Sequence, residues 1–263
     1  YTVKFSLTHI YISFQEFKRE TRHSLNKKRC LGIDLNPDTI GVCVLEDEKV
    51  IHGQEFSLKP LMNKIMASKA SSSSKRTKSL HNKLKFETIE ICKLVQQLAV
   101  RFQCQSVFIE DLSFKTGVKT KWNHRGNRKT KNLWLRTLFV NNLSKRLHIE
   151  GINLYKVNPA YSSFIGNMQH DFTDAVNASI EIARRGYHWK ITKQKNKFYP
   201  PVALKHLWKE TNTAGSTWKD LFLKAKNAKL KYRVSLDECL HSFKVFQQNS
   251  TEKSMVLHYV FAC

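Results

Sequence analysis

Three carboxylates stand where acids are unusual or commit the chain to something. Asp34 lies inside the otherwise apolar run Leu31-Gly32-Ile33-Asp34-Leu35. A carboxylate there is costly to bury unless it is paired or holds a metal. The bland alternative is a strand-end acid facing solvent beside the turn Asn36-Pro37-Asp38. Glu110 closes the apolar run Val107-Phe108-Ile109 and is followed by Asp111. Strand alternation puts these two acids on opposite faces, so only one can point into a shared site; two solvated acids at a strand end is the competing reading. Asp174 opens a helical stretch, where a carboxylate also serves as a cap. Asp171 competes with it three residues earlier, but Asp174 is the one followed directly by the helical register of Val176, Ser179, Ile180 and Ala183. Carboxylates converging from different elements could hold two Mg²⁺ or Mn²⁺ ions, roughly 3.5–4 Å apart, around a scissile phosphate. In that chemistry Asp34 would bridge the ions, with Glu110 and Asp174 each completing one side.

The elements that must position these acids are readable from periodicity. Cys30–Leu35, Thr39–Glu46 and Lys49–Phe56 are strand-like runs, separated by Asn36-Pro37-Asp38 and by Asp47-Glu48. They predict an antiparallel meander. Leu84, Ile91, Leu94, Val95 and Leu98 keep helical spacing on one face, after a Ser-rich basic loop, Ser71–Ser74 followed by Lys75, Arg76 and Lys78. A strand at Val107–Ile109 follows, then a helix carrying Leu135, Leu138, Phe139, Leu143 and Leu147, then a strand over Ile152–Val157. The last helix runs from Thr173-Asp174 to Arg184-Arg185-Gly186, with Gly186 as its C-terminal stop. The dipole of that last turn is sufficient to explain Arg184 and Arg185. The order βββαβαβα predicts an α/β fold with a mixed five-stranded sheet and flanking helices, the RNase H-like order. Residues 30–186 form this domain. Residues 1–29 read as the end of a preceding β domain, a hairpin over Tyr1–Phe14 and then a linker over Gln15–Arg29. Residues 187–263 read as a basic C-terminal extension. The chain opens without Met, directly on strand-like alternation, which predicts a fragment of a longer protein.

Charge narrows the partner. Lys and Arg number 45 against 21 Asp and Glu, a formal net charge of +24, and the hydrophobic fraction of 41% is enough for a core. Such an excess repels itself unless a polyanion neutralises it, and nucleic acid is the polyanion that fits. A membrane is not expected, because no apolar run is long enough to span one. The stretch Lys115–Lys131 holds seven Lys or Arg and no acid. Within it, Lys119, Lys121, Arg125, Arg128, Lys129 and Lys131 are candidates for phosphate contacts and Trp122 for stacking on a base. A solvated basic loop with Trp122 packed on the domain is the alternative. The six cysteines form no Cys-x-x-Cys pair, so they are expected as buried thiols in a reducing cytoplasm.

The motifs carry a resemblance. Gly32-Ile33-Asp34-Leu35-Asn36 resembles the first RuvC motif of TnpB-like transposon proteins and type V CRISPR effectors, and Val107-Phe108-Ile109-Glu110-Asp111-Leu112 resembles the second. Val157-Asn158-Pro159-Ala160-Tyr161-Ser162-Ser163 is similar to the segment preceding their third motif, and the stretch from Thr173 to Arg185 is similar to that motif itself. The resemblance spans about Cys30 to Gly186. It implies a RuvC-type, metal-dependent endonuclease with Asp34, Glu110 and Asp174 as Mg²⁺ (or Mn²⁺) ligands, two ions in all. It also implies a DNA substrate and a guide RNA for the full-length protein, in a prokaryotic nucleoid-associated or phage-encoded setting. Phe164–His170 stand where such proteins usually carry a Cys-x-x-Cys ribbon, so no zinc is expected.

Two rivals come from other classes. A sugar-kinase or actin-like ATPase also opens on a strand with Gly-x-Asp but needs Gly-rich phosphate loops; this chain has nine Gly and no paired-Gly turn. A non-catalytic nucleic-acid-binding remnant of a transposon protein would share the charge and should fail to bind Mg²⁺ or Mn²⁺.

Overall fold

The computed structural model describes residues 2–13, 26–70, 74–112, 135–193 and 218–227. Strands β1 (Thr2–Phe5) and β2 (Ile10–Ser13) pair antiparallel in a small sheet of their own. The main sheet is built from β3 (Asn26–Leu35), β4 (Thr39–Glu46), β5 (Lys49–Ser57), β6 (Cys104–Glu110) and β7 (Asn153–Val157). Its helices are α1 (Lys59–Ala70), α2 (Ser74–Arg101), α3 (Arg136–Ile149), α4 (Ser162–Gln169), α5 (Asp174–Thr192) and α6 (Trp218–Asn227).

The strand order is β5-β4-β3-β6-β7. β3, β4 and β5 form the antiparallel meander, and β6 and β7 add to β3 in parallel. Three antiparallel strands followed by two parallel ones, with helices on both faces, is the RNase H-like arrangement expected from the element order. The turn between β4 and β5 is tight because Asp47 and Glu48 both take positive φ, 46° and 69°, a conformation acidic and amide side chains tolerate better than β-branched ones.

Alternation along the central strands sorts side chains between two cores. Leu31, Ile33 and Leu35 of β3, with Val107 and Ile109 of β6, pack against α2 and α3 through Ile91, Val95, Phe139 and Leu143. Cys30 of β3 and Phe108 of β6 pack on the opposite face against Val176, Ile180 and Ala183 of α5. The second layer is unusually close. A Cβ on Gly32 would lie 2.1 Å from the Ser179 carbonyl oxygen, and one on Gly186 would lie 2.1 Å from the Phe108 ring. Both glycines therefore serve helix–sheet contact rather than turns.

Several expectations change here. The last helix does not stop at Gly186; it continues to Thr192, and Lys193 in the left-handed region (φ 61°) ends it. Gly186 is kept small by Phe108, so its role is packing and not termination. The stretch read as a linker up to Arg29 already contains β3 from Asn26, because ladder pairing needs no apolar side chains and Arg29 pairs with Glu46 at 2.9 Å. Leu94 is 43% exposed, since the buried face of α2 follows Leu84, Thr88, Ile91, Cys92, Val95 and Ala99 and residue 94 falls off it. Helices α1 and α4 lie in stretches where no element was expected, and α2 already starts at Ser74, so Lys75, Arg76 and Lys78 are helical and not part of a loop. Cys30, Cys43, Cys92 and Cys104 are buried free thiols, as anticipated. Among the described residues no helix is long and apolar enough to cross a membrane.

Candidate active site

The same alternation that sends Leu31, Ile33 and Leu35 to one face sends Cys30, Gly32 and Asp34 to the other, under α5. On β6 it sends Phe108 and Glu110 there too. Both acids are deep, with Asp34 4% and Glu110 6% exposed, whereas Asp111 is exposed. The parallel register sets Ile33 against Ile109, so the two acidic positions end neighbouring strands at one edge of the sheet. The ladder also ties them together: the Leu35 amide donates to Glu110 Oε1 at 3.0 Å.

Asp174 reaches this edge from the other layer, as the first residue of α5. Thr173 occupies the cap position without a side-chain hydrogen bond, and the Asp174 carboxylate accepts instead from Asn167 Nδ2 at 2.7 Å. Capping is thus not what holds it. Asp171 is exposed.

The electrostatics follow from this crowding. Burial pushes the Asp34 carboxyl well above the usual carboxylate range, and the negative charges of Glu110 and then Asp174 push it further, against a hydrogen bond from Asn36. Burial raises Glu110 to about 7, with the Leu35 amide and the charge of Arg136 pulling the other way. Like charges brought together in a poorly solvated place are the arrangement that a cation relieves. The donor set is all carboxylate oxygen, which suits hard ions such as Mg²⁺ or Mn²⁺. Among the described residues, however, no group of three His, Cys, Asp or Glu side chains closes into a metal-holding cluster. Each carboxylate turns one oxygen onto a neutral N–H instead: Asp34 onto Asn36 Nδ2 at 2.6 Å, Glu110 onto Leu35 and Asp174 onto Asn167.

Two supports were not legible beforehand. The first is an amide relay behind Asp174. Asn177, 2% exposed, donates through Nδ2 to Asn167 Oδ1 at 2.9 Å and to the His170 carbonyl at 2.9 Å. It also accepts from the Phe172 amide at 3.2 Å. Asn167 in turn donates to Asp174. The second is an ion triad centred on Glu181, about two turns along α5 from Asp174. Glu181 accepts from Arg184 Nε at 2.8 Å and Arg185 Nε at 2.7 Å, all three side chains being buried. Arg185 Nη1 then donates to the carbonyls of Asn158 and Ala160, each at 2.8 Å. That bolts α5 to the loop leaving β7. Arg184 and Arg185 are therefore not explained by the dipole of a final turn; they sit mid-helix and neutralise a buried acid. The spacing Glu181, Arg184, Arg185 could have hinted at pairing, but the same spacing is common on solvated helices. The basic candidates Lys119, Lys121, Trp122, Arg125, Arg128, Lys129 and Lys131 lie outside the described residues.

No protein-family model matches the chain, and no curated protein matches it. It is similar to the Thermus thermophilus RuvC structure, at 12% identity and TM-score 0.40, over 62% of this chain and 96% of that one. T. thermophilus RuvC in complex with a Holliday junction substrate gives the same identity and TM-score, over 62% of this chain and 95% of that one. The Cas12f1 chain of a Cas12f1–sgRNA–target DNA complex is 14% identical at TM-score 0.45, over 61% of this chain and 51% of that one. This chain thus spans about half the length of the Cas12f1 chain. Likenesses this distant settle no residue's role, and the fold stands on the strand order alone.

Proposed function

We propose that this chain is a RuvC-type, metal-dependent DNA endonuclease, and that the full-length protein is RNA-guided, as in the TnpB-like and type V CRISPR families it resembles. The observation carrying this reading is the convergence of Asp34, Glu110 and Asp174, from two strands and a helix, at one edge of the sheet where burial and the charges of Glu110 and Asp174 raise the proton affinity of Asp34. Asp34, Glu110 and Asp174 would hold Mg²⁺ or Mn²⁺, two ions in all. Bound ions of this kind supply a hydroxide-like nucleophile at neutral pH and stabilise a leaving oxygen. The chain's own part is to hold the carboxylates in place. Asn36 fixes Asp34, the Leu35 amide fixes Glu110, and Asn167 fixes Asp174. The +24 net charge draws the polyanionic substrate in.

The test is cleavage of end-labelled single-stranded DNA with Mg²⁺ or Mn²⁺ by this chain and by Asp34→Ala. Metal-dependent cutting, lost in the variant while DNA binding persists, is the expected result. Equal loss of cutting and binding in Asp34→Ala would show that Asp34 is structural.

Asn167 should act through Asp174. Asn167→Ala is expected to cost about 10–100-fold in activity, the usual effect of removing a hydrogen-bond partner from a metal ligand. The Mg²⁺ concentration for half-maximal cutting should rise with it, which a general loss of stability would not produce.

A second reading, a non-catalytic nucleic-acid-binding module, is favoured by the lack of a closed metal cluster among the described residues. Titration with Mn²⁺ followed by melting temperature separates the two, because only the nuclease reading requires a shift that Asp34→Ala removes.

A further inference from the structure

Between Glu55 and Glu87 the sequence carries eight Lys or Arg and no acid, and this stretch forms α1 and the first half of α2. The two helices are fastened to each other and to the domain. Ser68 Oγ lies 3.1 Å from Thr77 Oγ1, and Met62, Ile65 and Leu84 enter the core on the α2–α3 side of the sheet. The cations face out: Lys59, Lys64, Lys75, Arg76, Lys78 and Lys83 are exposed. None of these six forms an ion pair among the described residues, whereas Lys93 further along α2 pairs with Glu90.

The position of this surface follows from lengths. The buried side chains of α2 run from Leu84 to Ala99, about 23 Å of helix at ~1.5 Å per residue. β6, the strand after α2, has seven residues, also about 23 Å at ~3.3 Å per residue. α2 ends at Arg101 and β6 starts at Cys104, so the chain reverses and the helix lies against the strand in the opposite direction. The part of α2 before Leu84, which fully buries no side chain and meets the core through the half-buried Leu80, therefore projects past the end of β6, the end that carries Glu110. α1 is delivered to that same edge, since Ser57 at the end of β5 pairs with Thr39, just beyond the end of β3.

We propose that the α1–α2 hairpin is a phosphate-docking ledge that grips duplex DNA beside the carboxylate edge. This rests on the nuclease reading for its geometry relative to a substrate, but not for its chemistry. Exposed cations with no ion pair among the described residues are free to neutralise phosphates and release counterions. Residues 59–83 hold one aromatic ring, His81, and no Phe, Tyr or Trp, so the surface is mainly cationic and suits a phosphate backbone facing outward more than unstacked bases. The unbroken run of positive charge is complementary to a polyanion and is self-repelling without one.

The experiment compares two variants of the whole chain, each lowering the net charge by four. One is Lys75→Gln/Arg76→Gln/Lys78→Gln/Lys83→Gln. The other, a control on other surfaces, is Lys49→Gln/Lys93→Gln/Lys145→Gln/Lys193→Gln. Binding of a fluorescein-labelled DNA duplex of about 30 base pairs is followed by anisotropy across a salt series, with melting temperature confirming that both variants fold. The hairpin variant should bind at least about tenfold more weakly at low salt, with a log–log salt slope shallower by two or more, each lost phosphate contact contributing about 0.9. The control should change both far less. Equal losses in the two variants, wild-type affinity in the hairpin variant, or no duplex binding by the wild type would each overturn the ledge. If the wild type cuts no DNA but the hairpin variant alone loses affinity, the nuclease reading fails and the ledge stands.

Discussion

Asp34→Asn is expected to abolish metal-supported cleavage and at the same time to make the chain more stable in EDTA. Both effects have one origin. Asp34 is buried beside two other carboxylates and its proton affinity is raised, so the ionised form is penalised in the folded state and free of penalty when unfolded. An amide of the same shape removes the charge and keeps the packing. Glu110→Gln should behave likewise, although Gln loses the charge-assisted bond from the Leu35 amide. The sign fixes a pH dependence. Glu110 titrates at about 7 in the fold against an ordinary 4.5, so between those values the folded state binds more protons than the unfolded one. Stability in EDTA should therefore fall as pH rises from 5 to 8, by about 2–3 kcal/mol for this group, and level off above. Glu181 works the other way, because Arg185 and Arg184 outweigh its burial and hold it below its ordinary value; its contribution is lost only as pH falls under that value, outside the window. His170, held below its ordinary 6.5 by burial, contributes stability that grows as pH rises and offsets part of the fall. Mg²⁺ should reverse the trend, stabilising the wild type more at pH 8 than at pH 5, since the ligands must be deprotonated to bind. Urea unfolding at the two pH values, with EDTA or Mg²⁺, measures all of this. A wild type that is more stable at pH 8 in EDTA, or an Asp34→Asn variant less stable than it, would remove the electrostatic basis of the site.

Glu181→Ala should be among the most destabilising single changes in the chain, at about 3–5 kcal/mol. The carboxylate neutralises two guanidiniums that are 6% exposed each. Truncation leaves both buried without it, and the cost is their desolvation more than the lost attraction itself. Arg185→Met should be milder, at about 1–3 kcal/mol, because Arg184 still answers Glu181; it frees the carbonyls of Asn158 and Ala160 and unpins the loop before α4. The urea midpoint of each variant gives the comparison. A loss below about 1 kcal/mol in Glu181→Ala would mean that water reaches the triad.

The strand layout was legible because two independent signals agreed on it. Alternation marked β3 to β5, and Asn36-Pro37-Asp38 and Asp47-Glu48 marked the turns between them. Asp34 stood out for the same reason it is costly: a charge inside an apolar run. Glu110 could be narrowed only to a pair with Asp111, and burial separates them. What failed to show was everything whose meaning is tertiary. α4 is eight residues long with Gly166 and Asn167 in its interior, so local propensity argues against it and packing under α5 decides. Asn167 and Asn177 are ordinary polar letters until the fold places one behind the other. Gly186 reads as a helix stop in any window, and only Phe108, 78 positions away, explains why it is not one.

The parallel pairing of β3 with β6 has a kinetic side. It joins Cys30 to Ser106 and Ile33 to Ile109, across the whole of the meander, α1 and α2, so a large loop must close before that ladder can form. The meander can assemble from neighbouring segments, but Asp34 and Glu110 meet only when the long closure is complete. The carboxylate edge is therefore a late product of folding, and a chain caught part-way carries Asp34 without its companion acid on β6.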